Sequence, residues 1–358
     1  MERATIEAIA RRRADPAVTV LAPVPQPVAA HPEVSPRLRA LVDRAVAAVA
    51  AQRGGEVAAA VRAQLDAVDL GLRTGEHAHG LAVLASAESC EVLRLPFAVD
   101  EQVTVNRSFA TRQLLTGLAR SPWYRVLSIA GHRARLLEGQ GGHLVEIAAG
   151  GFPIDVAPPH EWDTPHKDQP IHEEAEHEEH RIVQRAVDAA LGAAVDRDPL
   201  PLVVVAATRE LAYFDEVTTH AAQVVGHVRG SYGRATPAEL AAAVQPALDA
   251  HLAARRAEAV ERLRRALGAG RAATGLPAVD ESARAGRGHE LVVEEGFSFP
   301  RHWVDGVVGA ATEPEPVLEL DDVVDDVIEA VLLDGGEVSF VDPDALDDVG
   351  HIGLVLRH

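Results

Sequence analysis

The sequence predicts an α/β protein of three domains, on three observations. Residues 79–115 alternate short apolar strands with turns and close on a short helix. Residues 126–147 hold three more strands joined by glycine-containing turns. From there to residue 356, helices with one apolar stripe alternate with strands. Helical and strand periodicities that alternate along a chain mark layers of helices packed on sheets. The domains are expected at 1–118, 119–268 and 269–358.

In the first domain, residues 2–13 read as a helix ending near Asp15-Pro16, and residues 17–21 as a strand. The proline-rich run 23–36 reads as a loop, because proline continues neither element. Ser35-Pro36 then opens a helix with Leu38, Leu41, Val42, Ala45, Val46 and Val49 on one face, and Gly54-Gly55 breaks it. Residues 57–70 are less regular. Residues 80–85, 90–95 and 103–105 supply strands, and 112–118 a short helix.

The middle domain opens with strands at 126–130, 133–138 and 143–148, an expected antiparallel meander. A polar loop, 150–170, leads to a helix over 171–195. Its expected apolar face is Ile182, Val183, Ala186, Val187, Ala190, Leu191 and Ala194. Residues 202–207 form a continuous apolar run, the mark of a strand covered on both faces. Helix 209–220, strand 223–228 and a long helix follow. The long helix starts at a capping box, Thr236 with Glu239, contains Pro246 and runs to about residue 267. The order βββ-α-β-α-β-α is that of a ribonuclease-H-like layer fold with a mixed sheet. The third domain reads as a small α/β sandwich: helices 277–285 and 320–332, strands 290–293, 338–341 and 352–356.

Bulk properties narrow the function classes. The chain has 358 residues, 47% hydrophobic and 25% charged, a globular profile too long for one core. No apolar run approaches the roughly 18 residues of a membrane span. The opening MERATIEAIARRR lacks the apolar core and cleavage site of a secretory signal. Cys90 is the single cysteine, so a reducing cytoplasm is the expected setting. The 34 basic and 54 acidic side chains leave a net charge of −20, and residues 302–356 contain no Lys or Arg. Such a tail repels phosphate. Neither DNA nor a membrane is an expected partner, and any RNA contact falls to the first two-thirds of the chain.

Several residue groups carry candidate chemistry. His172, His177 and His180 stand among Glu173, Glu176 and Glu178, after His160 and His166. On a helix, Glu173 with His177 and Glu176 with His180 lie four apart, a set suited to zinc or manganese in a metal-dependent enzyme. The spacing departs from H-E-x-x-H, and a solvated acidic first turn favoured by the helix dipole accounts for the same residues. The strands at 126–130 and 202–207 carry no acid, so two-metal nuclease chemistry is not expected. Gly139-Gln140-Gly141-Gly142 lies between two strands and reads as a hairpin turn rather than a phosphate loop, so no cofactor is expected. Cys90 reads as a buried apolar side chain. Arg255, Arg256, Arg264 and Arg265 could meet RNA phosphates, but Glu258 and Glu261 at spacings of three and four fit an ion-paired helix face equally. Asp321, Asp322, Asp325 and Asp326 form the polar face of an amphipathic helix.

GLAVLASAESCEVLRLPFAVDEQVTVNRSFATRQLL followed by RVLSIAGHRARLLEGQGGHLVEI resembles the junction between the first two domains of archaeal and eukaryotic class-one release factors and Pelota. GRAATGLPAVDESARAGRGHELVVEE and the closing GHIGLVLRH are similar to the bacterial branch, the bacterial archaeo-eukaryotic release factor-like proteins. In release factors a Gly-Gly-Gln loop, between the meander and the next helix, promotes peptidyl-tRNA hydrolysis. Here that place reads PPHEWDTPHKDQPIHEEAEHEEH, without the tripeptide. The resemblance therefore implies a non-hydrolytic factor that occupies the ribosomal A-site region in stalling, rescue or hibernation. His160, Trp162, His166, Lys167 and Gln169 would form the ribosome-contact loop, and the acidic third domain would meet a translational GTPase.

Overall fold

The computed structural model describes residues 1–26, 31, 34–69, 77–156, 170–195, 198–299, 302–304, 307–309 and 322–357. The contacts divide the chain into two compact units, Met1–Ser121 with Arg255–His358, and Pro122–Ala254. Among the described residues, sheets of four, six and four strands and one two-stranded hairpin accompany the helices, a mixed α/β architecture. No described helix is long and apolar enough to cross a membrane.

The first unit begins with α1 (Arg3–Arg11) and β1 (Arg13–Pro23). The strand runs through Asp15-Pro16, where the sequence suggested a break, and absorbs the proline at an irregularity between Arg13 and Ala17. α2 (Val34–Arg53) follows. Residues 27–30 and 32–33 of the expected proline-rich loop lie outside the described residues. The segment 57–70, whose sequence shows no regular period, falls largely in α3 (Gly55–Asp66), which buries Ala58, Val61 and Leu65 at helical spacing. β2 (Gly80–Ala85), β3 (Cys90–Leu95) and β4 (Gln102–Ser108) complete an antiparallel sheet ordered β3-β2-β1-β4. All six residues of β2 are buried. α2 and α3 cover one face through Leu38, Leu41, Val61 and Leu65.

The other face packs with α1, α4 (Arg112–Arg120) and the C-terminal part of the unit in one continuous core. That part holds β11 (Ala272–Thr274), α8 (Leu276–Arg284), β12 (Gly288–Glu294), α9 (Val323–Leu333), β15 (Glu337–Val341) and β16 (Ile352–Leu356). Its sheet is ordered β11-β16-β12-β15. Leu84, Phe97 and Leu114 share the core with Val279, Val327 and Ile328. The start expected for α9, residues 320–321, lies outside the described residues. β11 and the hairpin of β13 (His302–Val304) and β14 (Val307–Gly309) were not anticipated, being three residues each and too short to show a period.

The second unit is a mixed sheet between helices. β5 (Tyr124–Ala130), β6 (Arg133–Gln140) and β7 (His143–Glu146) form the expected meander, and the two-residue β8 (Ile154–Asp155) pairs with β6. Gly141 and Gly142 turn between β6 and β7 with φ of +61° and +80°, as a hairpin of this type requires. β9 (Leu202–Ala206) lies parallel to β5, and β10 (Val224–Arg229) parallel to β9. Leu202, Val204 and Ala206 face α5 (Pro170–Val195) and α6 (Thr208–Val217), while Val203 and Val205 face α7 (Pro237–Gly268). The uninterrupted apolar run thus serves both faces of the sheet. At the start of α7, the Thr236 N–H donates to Glu239 Oε2 at 2.8 Å and the Glu239 N–H to Thr236 Oγ1 at 3.3 Å. The helix continues through Pro246; its turns from Arg255 onward belong to the first unit, where Ala259 and Leu263 pack with Val292 and Val341.

Candidate functional site

The polar loop and the start of α5 are where the sequence concentrates its unusual chemistry. His160, Trp162, His166, Lys167 and Gln169 lie outside the described residues. His172 is in α5, with its backbone alone described. His177 and His180, one helical turn apart, both pack on Tyr213 of α6. The His180 ring stacks nearly parallel to the phenol at 5.0 Å between centroids and 5° between planes, and His177 meets it edge-on at 5.7 Å and 63°. The Arg209 guanidinium, four residues before Tyr213 on the same helix, lies 5.8 Å from that ring's centroid. Tyr213 itself is buried, His180 half-buried and His177 exposed. The patch therefore presents imidazole rings and a guanidinium over a buried tyrosine. Such surfaces accept the flat faces and acceptor edges of unpaired bases.

Beneath the patch the expected apolar face of α5 is corrected. Val183, Val187, Leu191 and Val195 are buried, whereas Ile182 is 48% exposed and Ala186 is also exposed. The inward stripe instead takes in Gln184 and Asp188. Neither polar atom of the Gln184 amide has a hydrogen-bond partner. Asp188 is well supplied. Its Oδ1 accepts from the Thr218 hydroxyl at 2.7 Å and lies 2.9 Å from His220 Nδ1. Its Oδ2 accepts from the Thr219 hydroxyl at 2.8 Å and the Thr219 N–H at 3.2 Å. Burial pushes this carboxyl up, but the hydrogen bonds from His220, Thr218 and Thr219 together outweigh it and hold it below the usual carboxylate value. The network anchors the end of α6 to α5 and so fixes the helix pair that carries the aromatic patch.

The arginines of α7 are placed differently. Arg255 is exposed, and Arg256 Nε lies 3.0 Å from Asp342. Arg264 lies 3.5 Å from Glu261, and Arg265 donates to the Glu261 carbonyl at 3.3 Å. Their neighbour Arg262 makes a two-pronged ion pair with the buried Glu290, at 2.9 and 2.7 Å. Cys90 is half-buried, and burial with the adjacent Glu91 raises its thiol to about 11, so it is held as the neutral thiol. Tyr213, Arg209 and Asp188 were not among the residues singled out from the sequence. The signal for the first two was the four-residue spacing on α6. For Asp188 it was an acid on the inward stripe of an otherwise apolar helix.

Residues 123–287 match the model of bacterial archaeo-eukaryotic release factor family 3, a stretch that runs from β5 to the end of α8 and takes in the patch. Among solved structures, the chain is similar to an archaeal translation termination factor at 13% identity, covering 100% of this chain and 99% of that one, with a TM-score of 0.25. Pelota of Archaeoglobus fulgidus is similar at 15% identity, covering 77% and 79%, with a TM-score of 0.35. Dom34 of S. cerevisiae, a translation termination-like factor, is similar at 10% identity, covering 82% and 76%, with a TM-score of 0.42. No curated protein matches the chain.

Proposed function

We propose that this protein is a non-hydrolytic, Pelota-like translation factor of the cytoplasm that binds the ribosome in its A-site region. The observation that carries the reading is the match of residues 123–287 to the release factor family, combined with a segment 149–170 that contains no Gly-Gly-Gln. Without the tripeptide the factor would occupy a stalled or hibernating ribosome without releasing its peptide. Its domains are 1–118, 119–268 with a ribonuclease-H-like fold, and the acidic 269–358, the surface for a translational GTPase. The cluster of His177, His180, Tyr213 and Arg209 supplies stacking and hydrogen-bonding groups suited to exposed rRNA bases, at the helix pair that follows the segment.

Co-sedimentation through a sucrose cushion at physiological salt tests the proposal. The full chain should pellet with ribosomes from starved or cold-shocked cells, and a His177→Ala/Arg209→Ala variant should pellet less. Absence from the ribosome pellet under growth, starvation and cold shock alike would sink it. Added to ribosomes carrying peptidyl-tRNA, the chain should release no peptide.

A further inference from the structure

Among the described residues, one constellation outside the patch brings metal-ligating atoms together: Glu294, Asp347 and His351, all in the first unit. We propose that it is a binding site for a divalent transition metal, with Glu294 Oε2, Asp347 and His351 Nδ1 as the ligands.

The topology explains why the three converge. β12 pairs with β16 so that Val293 lies opposite Ile352, which sets Glu294 at the strand end beside His351. The chain enters β16 from a short 3-10 turn, Asp347–Val349, and Gly350, both on the way to His351. Backbone hydrogen bonds then close the corner, from the Glu294 N–H to the His351 carbonyl at 3.1 Å and from the His351 N–H to the Leu346 carbonyl at 3.0 Å. The corner holds His351 at a φ of +66°, in the left-handed region that a residue with a Cβ rarely adopts.

The geometry of the cluster fits a cation. His351 Nδ1 lies 2.9 Å from Glu294 Oε2 and 3.5 Å from Asp347 Oδ1, and the three ligand atoms all lie within 4.8 Å of one another. Two carboxylate oxygens from different parts of the chain thus converge on one imidazole nitrogen. A metal ion engages all three together. With ligand bonds of about 2.1 Å, a tetrahedral ion separates its ligands by roughly 3.4 Å. The observed distances bracket that value, so small side-chain adjustments seat the ion.

The surroundings are those of a held ligand set. The second oxygen of Glu294 accepts the Leu346 N–H at 2.6 Å, which fixes the carboxylate plane, and the Phe297 ring lies 5.3 Å from the imidazole. Outer partners of this kind orient metal ligands. Glu294 forms a buried floor at 6% side-chain exposure, while His351 at 43% and Asp347 at 63% leave an open approach from solvent. One imidazole and two carboxylates suit zinc or manganese, and three protein ligands leave a coordination position for water or for a group on a partner.

Calorimetric titration of the chelator-stripped, untagged full chain with zinc chloride tests the site. Wild-type protein should take up zinc here. Asp347→Asn and His351→Gln should each weaken that uptake at least about tenfold, on the scale of losing one group that orders a metal site. Asp347 is 63% exposed, so Asp347→Asn should unfold at the wild-type temperature in chelator, which separates ligand loss from misfolding. A His172→Ala/His177→Ala/His180→Ala variant should retain the site. No zinc uptake by the wild type, unchanged uptake in both the Asp347→Asn and His351→Gln variants, or loss confined to the triple histidine variant would each overturn the assignment.

Discussion

Arg112 Nη1 lies 2.9 Å from Asp322 Oδ2, a nearly buried ion pair between residues 210 positions apart, with side-chain exposures of 16% and 10%. It joins α4, at the end of the first sheet's domain, to the residue that starts α9. Asp322 also caps α9, accepting the Val324 N–H at 2.8 Å, and accepts the Phe299 N–H at 2.9 Å. The same guanidinium donates to the Phe297 carbonyl and lies 3.5 Å from Asp325. The pair is therefore a clasp inside the first unit, alongside contacts such as that of Arg3 with the Gly336 carbonyl at 2.6 Å.

Removing one partner of such a pair strands the other charge in a low-dielectric setting. Arg112→Ala should cost about 3 kcal/mol, the scale of a broken buried pair. Asp322→Ala loses the helix cap as well, worth about 1 kcal/mol, and should cost more. Urea unfolding monitored by circular dichroism would show both midpoints lowered in that order. A wild-type midpoint for Arg112→Ala would refute the clasp.

The corrected face of α5 predicts effects of very different size for two apolar residues of the same helix. Ile182 faces solvent, so Ile182→Ser should change stability by no more than about 0.5 kcal/mol. Leu191 is fully buried among Leu127, Val187 and Phe214, so Leu191→Ala should cost roughly 2–5 kcal/mol. Thermal unfolding of the two variants distinguishes this face from the one the sequence suggested, on which both residues would be costly to truncate.

That correction shows where sequence reasoning succeeds and where it stops. Signals that are local and chemical were legible. The Thr236–Glu239 capping box, the glycine turn at 141–142 and the apolar run of β9 each depend on a few adjacent residues, and each is present as expected. α3 was missed because alanine-rich segments give little contrast between faces, and its buried side is only Ala58, Val61 and Leu65. The face of α5 was misassigned by one position because Ile182 and Ala186 are apolar, whereas Gln184 and Asp188 are not. Type alone hides that Asp188 is satisfied from α6 and the turn beyond it. Long-range pairing was the least legible. β11 pairs with β16 across Ala272 and Val355, and residues 1–121 share a core with 255–358, facts that no local pattern encodes. The same limit applies to the sites: the convergence of Glu294 with Asp347 and His351 depends on the β12–β16 register, and that of His180 with Tyr213 on the packing of two helices.

Asp188 contributes to the acid sensitivity of the second unit. Its carboxyl is held below the ordinary value in the folded chain, so the folded state binds its proton less readily than the unfolded state does. The stabilisation is then fully present above the unfolded value of about 3.9, and is lost as pH falls through the lower, folded value. In Asp188→Asn the side chain no longer accepts with two anionic oxygens, and its amide opposes the Thr219 donors. At neutral pH this should cost about 1–3 kcal/mol, the scale of a buried hydrogen-bonded group left mismatched. The difference between wild type and variant should persist down to about pH 4 and close below it. Denaturant midpoints measured for both proteins from neutral pH into the acid range would show this. A gap that keeps its full size at the acid end would mean that the Asp188 charge contributes nothing, and that the network acts through shape alone.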